Sequence, residues 1–162
     1  MHRSYLLLGS NLGERWDHLR IALSGLKEHG KILRTSSVYR SAAWGMTSQP
    51  DFLNLTVEFE SGLAPSALLN VILDVESKMG RTRTEKWGPR LIDIDILFFD
   101  DVVVNSRDLV IPHPEIQNRR FTLVPLAEIA PTLEHPVLKK TIAQLLDECL
   151  DVLPVERAAG SL

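Results

Sequence analysis

The stretch Phe52-Leu53-Asn54-Leu55-Thr56-Val57-Glu58-Phe59-Glu60 decides the fold. Apolar and polar residues alternate through it, and side chains two apart in a strand share a face. Leu53, Leu55, Val57 and Phe59 therefore take one side of a sheet, and Phe52, Asn54, Thr56, Glu58 and Glu60 take the other. Downstream, Pro65 suits the first turn of a helix, Leu68, Ile72, Val75 and Met79 follow at helical spacing, and Gly80 stops it. Another strand is predicted over residues 91–99. Upstream, the β-branched run 32–39 reads as a strand, joined to the alternating one by a loop over 41–51 that carries Gly45 and Pro50. Before that, Trp16, Leu19, Leu23 and Leu26 share one face of a helix over about 14–29, with Ser10 or Asn11 as its cap and Gly30 at its end. The apolar run 5–8 supplies the first strand. The order is βαββαβ, an α+β antiparallel sheet with helices packed on one face, as in ferredoxin-like folds.

Further on, residues 102–104 and 109–111 suit a small hairpin, and Pro112-His113-Pro114 demands a loop because proline removes donors and restricts its neighbours. Short helices are predicted over 118–129 and 141–150, and the tail 154–162 is expected to be loosely held. At 162 residues the chain reads as one domain, large enough to bury a core. A net charge of -3 argues against general binding to nucleic acid or a membrane surface, both of which favour basic chains. Cys149 is the only cysteine, which excludes an internal disulfide and a cysteine-rich zinc site and fits a reducing cytoplasm. No apolar run approaches the ~20 residues of a membrane span.

Asp93 and Asp95 carry the chemistry in Arg90-Leu91-Ile92-Asp93-Ile94-Asp95-Ile96-Leu97-Phe98. With Ile92, Ile94, Ile96 and Phe98 on the core face, the two acids project together from the other, about 7 Å apart. Paired carboxylates repel, and hard oxygen donors suit Mg²⁺ shared with substrate phosphates. Alone, Asp-x-Asp also fits a solvated strand face or an ion pair with arginine. The segment leading into this strand weighs on the choice: Lys78, Arg81, Arg83, Lys86 and Arg90 are opposed there only by Glu85, and Arg119 and Arg120 add charge later. Guanidinium forks match phosphate oxygens, so acids following an arginine loop point to a metal-polyphosphate site.

The two commonest nucleotide cradles, the P-loop and the kinase glycine loop, are absent. Gly9-Ser10-Asn11-Leu12-Gly13 is either a phosphate turn or a plain strand-to-helix turn, and His113 either touches phosphate or caps a loop. Phe52 beside Asn54 offers a stacking surface with an in-plane donor and acceptor, suited to a flat heterocycle, and is equally open to a role as a boundary aromatic. Trp44, Trp87 and Phe121 lie in or near predicted loops, where Trp87 serves either as a lid contact or as packing.

These residues resemble the 6-hydroxymethyl-7,8-dihydropterin pyrophosphokinase family. The decisive stretch is Trp87-Gly88-Pro89-Arg90-Leu91-Ile92-Asp93-Ile94-Asp95-Ile96. In matching order stand Gly9-Ser10-Asn11-Leu12-Gly13, Gln49-Pro50-Asp51-Phe52-Leu53-Asn54, Gly80-Arg81-Thr82-Arg83, Pro112-His113-Pro114 and Asn118-Arg119-Arg120-Phe121. The resemblance implies a ferredoxin-like fold and transfer of the terminal diphosphate of ATP to the pterin hydroxymethyl group, releasing AMP, by a monomer. It implies that Asp93 and Asp95 hold two Mg²⁺ ions, and that Phe52 and Phe121 sandwich the pterin. Asn54 would bond the ring, with backbone groups at Ser41, Ala42 and Trp44. Arg81, Arg90, His113 and Arg119 would contact the triphosphate, Arg83 and Trp87 would close over the reactants, and Glu76 would lie near the nucleotide.

The sequence departs from the family pattern in places. Phe52 stands where tyrosine occurs, Pro114 follows His113 where a tyrosine contacts phosphate, and Ala42-Ala43 replaces frequent prolines. The arginine loop is one residue shorter between Arg83 and Trp87. Two rivals remain: another Mg²⁺-dependent phosphoryl or nucleotidyl transferase, separable by its products, and a non-catalytic ferredoxin-like module. An RNA-binding module would want basic, aromatic central strands, whereas this one presents two acids.

Overall fold

The computed structural model describes residues 1–43, 48–80 and 91–162. Six strands form one antiparallel sheet in which β5 (Asp93–Phe99), β1 (His2–Ser10), β4 (Phe52–Ser61), β3 (Tyr39–Ser41) and β8 (Val155–Arg157) lie side by side. β2 (Lys31–Thr35) also pairs with β4, along the half where Lys31 faces Glu60. The predicted strand over 32–39 is thus two strands. The chain leaves the sheet at Ser36, whose Oγ accepts from Thr56 N–H at 2.9 Å, and rejoins it at Tyr39. The central pairing of β1 with β4 and β5 is the ferredoxin-like arrangement the element order predicts.

Helices α1 (Arg15–Lys27) and α2 (Pro65–Lys78) cover one face. Leu53, Leu55, Val57 and Phe59 point into that layer with Leu6, Leu8, Leu19, Leu26, Leu68 and Ile72. Pro65 occupies the first turn of α2, and Gly80, at φ 82, ends it in the left-handed region that disfavours a Cβ. Neither Ser10 nor Asn11 caps α1, whose flanking residue is Glu14 without a side-chain bond. Ser10 belongs to β1, and the buried Asn11 instead donates to Gln49 Oε1 at 2.8 Å and to the Pro50 carbonyl at 3.1 Å.

The second face is covered as well, which corrects the expectation of helices on one side only. Helices α3 (Arg120–Ile129) and α4 (Ile142–Glu148) pack Leu123, Leu126, Ile129, Ile142 and Leu145 against Tyr5, Leu7, Leu97 and Phe98. Consequently Asn54, Thr56 and Glu58, on the polar face of β4, are buried. Arg34 Nε, at 2.5 Å, and Arg3 Nε, at 3.2 Å, reach the Glu58 carboxylate from partly exposed positions and pair it there. Phe98 joins this face rather than that of Ile92, Ile94 and Ile96. The register against β1 jumps from Phe98↔Tyr5 to Ile96↔Leu6, and this bulge turns Leu97 and Phe98 to the same side.

Strands β6 (Val104–Asn105) and β7 (Val110–Ile111) form the small hairpin, β6 shifted to start at the last residue of its predicted range and β7 one residue shorter than predicted. A 3-10 turn at Ile116–Asn118 precedes α3, and Thr141 caps α4 through a reciprocal bond with Gln144. The segment from Pro154, expected to be loosely held, contributes β8 at the sheet edge. Among the described residues no helix is long and apolar enough to cross a membrane.

Candidate active site

The sheet register explains how distant residues meet. Gly9 of β1 stands opposite Asp93 of β5 on one side and Asn54 of β4 on the other, and Asn54 stands opposite Tyr39 of β3. One step along, Leu7 stands between Asp95 and Thr56. Residues two apart share a face, so Asp93, Asp95, Leu7, Gly9, Phe52 and Asn54 all point to the side covered by α3. Where α3 begins, its cover stops. There Leu7, Gly9, Ser41, Ala42, Phe52, Asn54, Asp93, Asp95, Arg119 and Phe121 line a cleft.

Gly9 makes the floor of this cleft. A Cβ on it would lie 2.6 Å from Asn54 Oδ1 and 3.4 Å from Phe52 Cδ1. Its position in the strand is therefore a matter of space, and a side chain would fill the room beside Asn54. The Asn54 amide is fixed by donation from Nδ2 to Ser41 Oγ at 2.9 Å. Phe52 and Phe121 are half-buried and bring aromatic surface from two separate elements. Arg119 lies 5.7 Å from the centroid of the Phe121 ring, which ties the guanidinium to the mouth of the cleft. The loop before Phe52 is pinned by the Asn11 bonds and by Arg15 Nη1 on the Asp51 carbonyl at 2.8 Å.

Asp93 and Asp95 are half-buried on the same wall. Their strand is an edge, and its outward polar groups are satisfied from neighbouring elements. Glu76 of α2, itself buried, accepts from the backbone N–H of Ile94, the residue between the two acids, at 3.0 Å. His113 N–H donates to the Leu97 carbonyl at 3.0 Å, which fastens the Pro112–Pro114 loop beside the bulge. Burial and then the nearby Arg119 charge push His113 down to about 4, against the opposing pull of Asp93 and Glu115. Because His113 Nδ1 accepts from Glu115 N–H at 3.1 Å, the neutral ring carries its proton on Nε2. It is a donor without charge at neutral pH.

The donor chemistry fits Mg²⁺: two hard carboxylates facing an open cleft leave coordination positions for phosphate and water. Among the described residues no group of three or more His, Cys, Asp or Glu forms a self-contained metal cage. Of the residues singled out from sequence, Ser41, Ala42, Phe52, Asn54, Asp93, Asp95, Arg119 and Phe121 converge in one cleft, with Glu76 and His113 in the structure around β5. Trp44, Arg81, Arg83, Trp87 and Arg90 lie outside the described residues. Sequence reasoning missed Gly9 and Leu7 as cleft residues and the Ser41 hydroxyl as the group that orients Asn54. An isolated glycine closing an apolar strand run was the available signal for close approach at Gly9.

Residues 5–131 match the family model described as 7,8-dihydro-6-hydroxymethylpterin-pyrophosphokinase (HPPK). A 2-amino-4-hydroxy-6-hydroxymethyldihydropteridine pyrophosphokinase of Aquifex aeolicus is 42% identical over 144 residues, 89% of this chain and 90% of the relative. The enzyme of that name from Synechocystis is 44% identical over 158 residues, 95% of this chain and 80% of the relative. Among solved structures, wild-type Plasmodium falciparum HPPK-DHPS with pteroate superposes with a TM-score of 0.75 at 19% identity. That match covers 91% of this chain and 42% of the Plasmodium chain, so this chain spans less than half of that larger protein and shares the fold of the matched part.

Proposed function

Because the chain belongs to the 7,8-dihydro-6-hydroxymethylpterin-pyrophosphokinase family, we propose that the cleft over Gly9 receives the pterin and that Asp93 and Asp95 hold the Mg²⁺ accompanying ATP. The enzyme transfers diphosphate from ATP to the hydroxymethyl group of 6-hydroxymethyl-7,8-dihydropterin in folate biosynthesis. The bond formed joins that oxygen to the β-phosphorus, the bond broken is the α–β bridge, and AMP leaves.

The observation that carries the site assignment is the convergence of Phe52, Asn54 and Phe121 with Asp93 and Asp95 in one cleft. Phe52 and Phe121 supply faces for a flat ring, and the amide of Asn54, held by Ser41, supplies in-plane hydrogen bonds. With β1 between them, Asn54 and Asp93 lie about two strand spacings apart, on the order of 10 Å. A two-ring heterocycle seated at Asn54 therefore directs its hydroxymethyl arm towards the acids. Bound Mg²⁺, which we take to be two ions, offsets the charge of the triphosphate and makes the hydroxymethyl group more acidic. Arg119 contributes fixed positive charge at the mouth, and neutral His113 contributes an Nε2–H donor to the phosphates. Glu76, which the family resemblance implies lies near the nucleotide, acts through Ile94 to hold β5 in position. Arg81 and Arg90 complete the phosphate contacts, Arg83 and Trp87 cover the reactants, and Trp44 completes the ring's backbone contacts with Ser41 and Ala42. We take the enzyme to work as a cytoplasmic monomer on these two small-molecule substrates, with no nucleic-acid or membrane partner.

Mn²⁺ titration followed by electron paramagnetic resonance, with a non-hydrolysable ATP analogue present, tests the metal assignment apart from turnover. Wild-type protein is expected to bind two ions, and folded Asp95→Asn to lose at least one. Undiminished Mn²⁺ binding by both Asp93→Asn and Asp95→Asn would sink the assignment.

A further inference from the structure

The segment from Asp151 to Arg157 lies beyond residue 131, where the family match ends, yet it grips the helix that carries Phe121 at both ends. At the start of α3, Asp151 Oδ2 accepts from the backbone N–H of Arg120 at 3.0 Å. That N–H belongs to the first turn, whose donors have no partner within the helix, and a carboxylate there also faces the positive end of the helix dipole. The other oxygen, Oδ1, accepts from Leu153 N–H at 3.0 Å, which fixes the turn leading into β8.

At the far end of α3, Arg157 Nη2 lies 3.7 Å from Glu128 Oε1. Glu128 is a hub: Oε2 accepts from the Tyr39 hydroxyl at 2.6 Å, and Oε1 accepts from Ser37 Oγ at 2.8 Å. Between these two grips, β8 pairs with β3 so that Val155 stands opposite Ser41 and Arg157 opposite Tyr39. Ala158 N–H extends the pairing to the Val38 carbonyl at 2.9 Å. One short segment therefore ties the helix of Phe121 to the strand of Ser41, the residue that orients Asn54.

We infer that Asp151 and Arg157 are positioning residues that brace the two walls of the ring slot against each other, setting the separation of Phe121 from the β3–β4 wall. The inference rests on the pterin reading of that slot. Neither residue lines the cleft; both act through α3 and β3, which carry Phe121 and Ser41, and not through β5 with Asp93 and Asp95, so their effect falls on the ring slot. Asp151 is the more informative of the two, because its bond lies one residue from Phe121.

The test measures KM for each substrate, kcat and melting temperature for Asp151→Ala, Asp151→Asn and Arg157→Ala. Losing one anchoring hydrogen bond is expected to raise the pterin KM about fivefold to tenfold in Asp151→Ala, with the ATP KM within about twofold. Asp151→Asn keeps an acceptor oxygen and should recover most of that affinity. Arg157→Ala acts through the longer contact and is expected to raise the pterin KM about twofold to threefold. It also serves if Asp151→Ala does not fold. A lowered melting temperature with both KM values unmoved, or a parallel rise in both, would overturn the brace. Wild-type protein that binds ATP and no pterin would overturn the ring reading itself, an outcome distinct from any failure of the variants.

Discussion

Replacing Gly9 with alanine separates the space that glycine provides from the strand stability that it weakens. Gly9 sits in ordinary strand geometry, so alanine meets no backbone strain, and in a strand interior it should add up to about 1 kcal/mol of stability through lower chain entropy. The new methyl group, however, would lie 2.6 Å from Asn54 Oδ1, inside the distance that real contacts allow. The backbone of β1 is held by β4 and β5 on both sides, so the Asn54 amide must yield. Turning it breaks the bond to Ser41 Oγ and misdirects the ring's in-plane partner. The lost Ser41 bond weighs on folding and about offsets the chain-entropy gain, whereas misdirection of the ring's in-plane partner costs about 2 kcal/mol of binding, which is roughly 30-fold in affinity. Calorimetric titration of the pterin with Mg²⁺ and a non-hydrolysable ATP analogue, beside a melting curve, reads both effects. The expected result is a melting temperature close to that of wild type with pterin affinity down roughly 30-fold and ATP affinity unchanged. Pterin affinity within about twofold of wild type would refute Gly9 as the floor of the slot.

Three further outcomes follow from the geometry. His113, held near 4, should titrate by NMR with a midpoint well below the free imidazole value and stay neutral at pH 6. Since its folded pKa is depressed, its contribution to stability is complete above about pH 6.5 and is lost as pH falls through about 4, a change on the order of 3 kcal/mol that His113→Gln should remove. Thr141→Ala breaks the capping box of α4 and should lower stability by about 1 kcal/mol, some 2–4 °C in melting temperature, with KM unchanged. Phe121→Ala removes one face of the slot and should raise the pterin KM at least about tenfold, whereas Phe121→Tyr, which keeps a ring, should stay within about threefold.

The central strands were legible because each obeys one simple period. Alternation through β4 separated Leu53, Leu55, Val57 and Phe59, which proved to face α1 and α2, from Phe52 and Asn54 on the face that proved to hold the cleft. The same rule placed Asp93 and Asp95 together, but it failed at Phe98, because a bulge is a property of the pairing of β5 with β1 and leaves no mark on β5 alone. Gly9 was legible as a glycine and not as a floor: its neighbours across the sheet, Asp93 and Asn54, are far away in sequence. Covering of the second face was missed although short helices over 118–129 and 141–150 were predicted, because the surface they cover includes Asn54, Thr56 and Glu58, whose burial depends on Arg34, Arg3 and Ser41. β8, three residues at an edge, carries too little pattern to be seen until β3 is in place beside it.

The most direct measurement incubates the folded protein with ATP, Mg²⁺ and 6-hydroxymethyl-7,8-dihydropterin and identifies both products by mass, with Asp95→Ala alongside. AMP and the pterin diphosphate in equal amounts, lost in the variant, are the expected result. ADP with a pterin monophosphate, or no pterin-dependent AMP from demonstrably folded wild-type protein, would contradict the account.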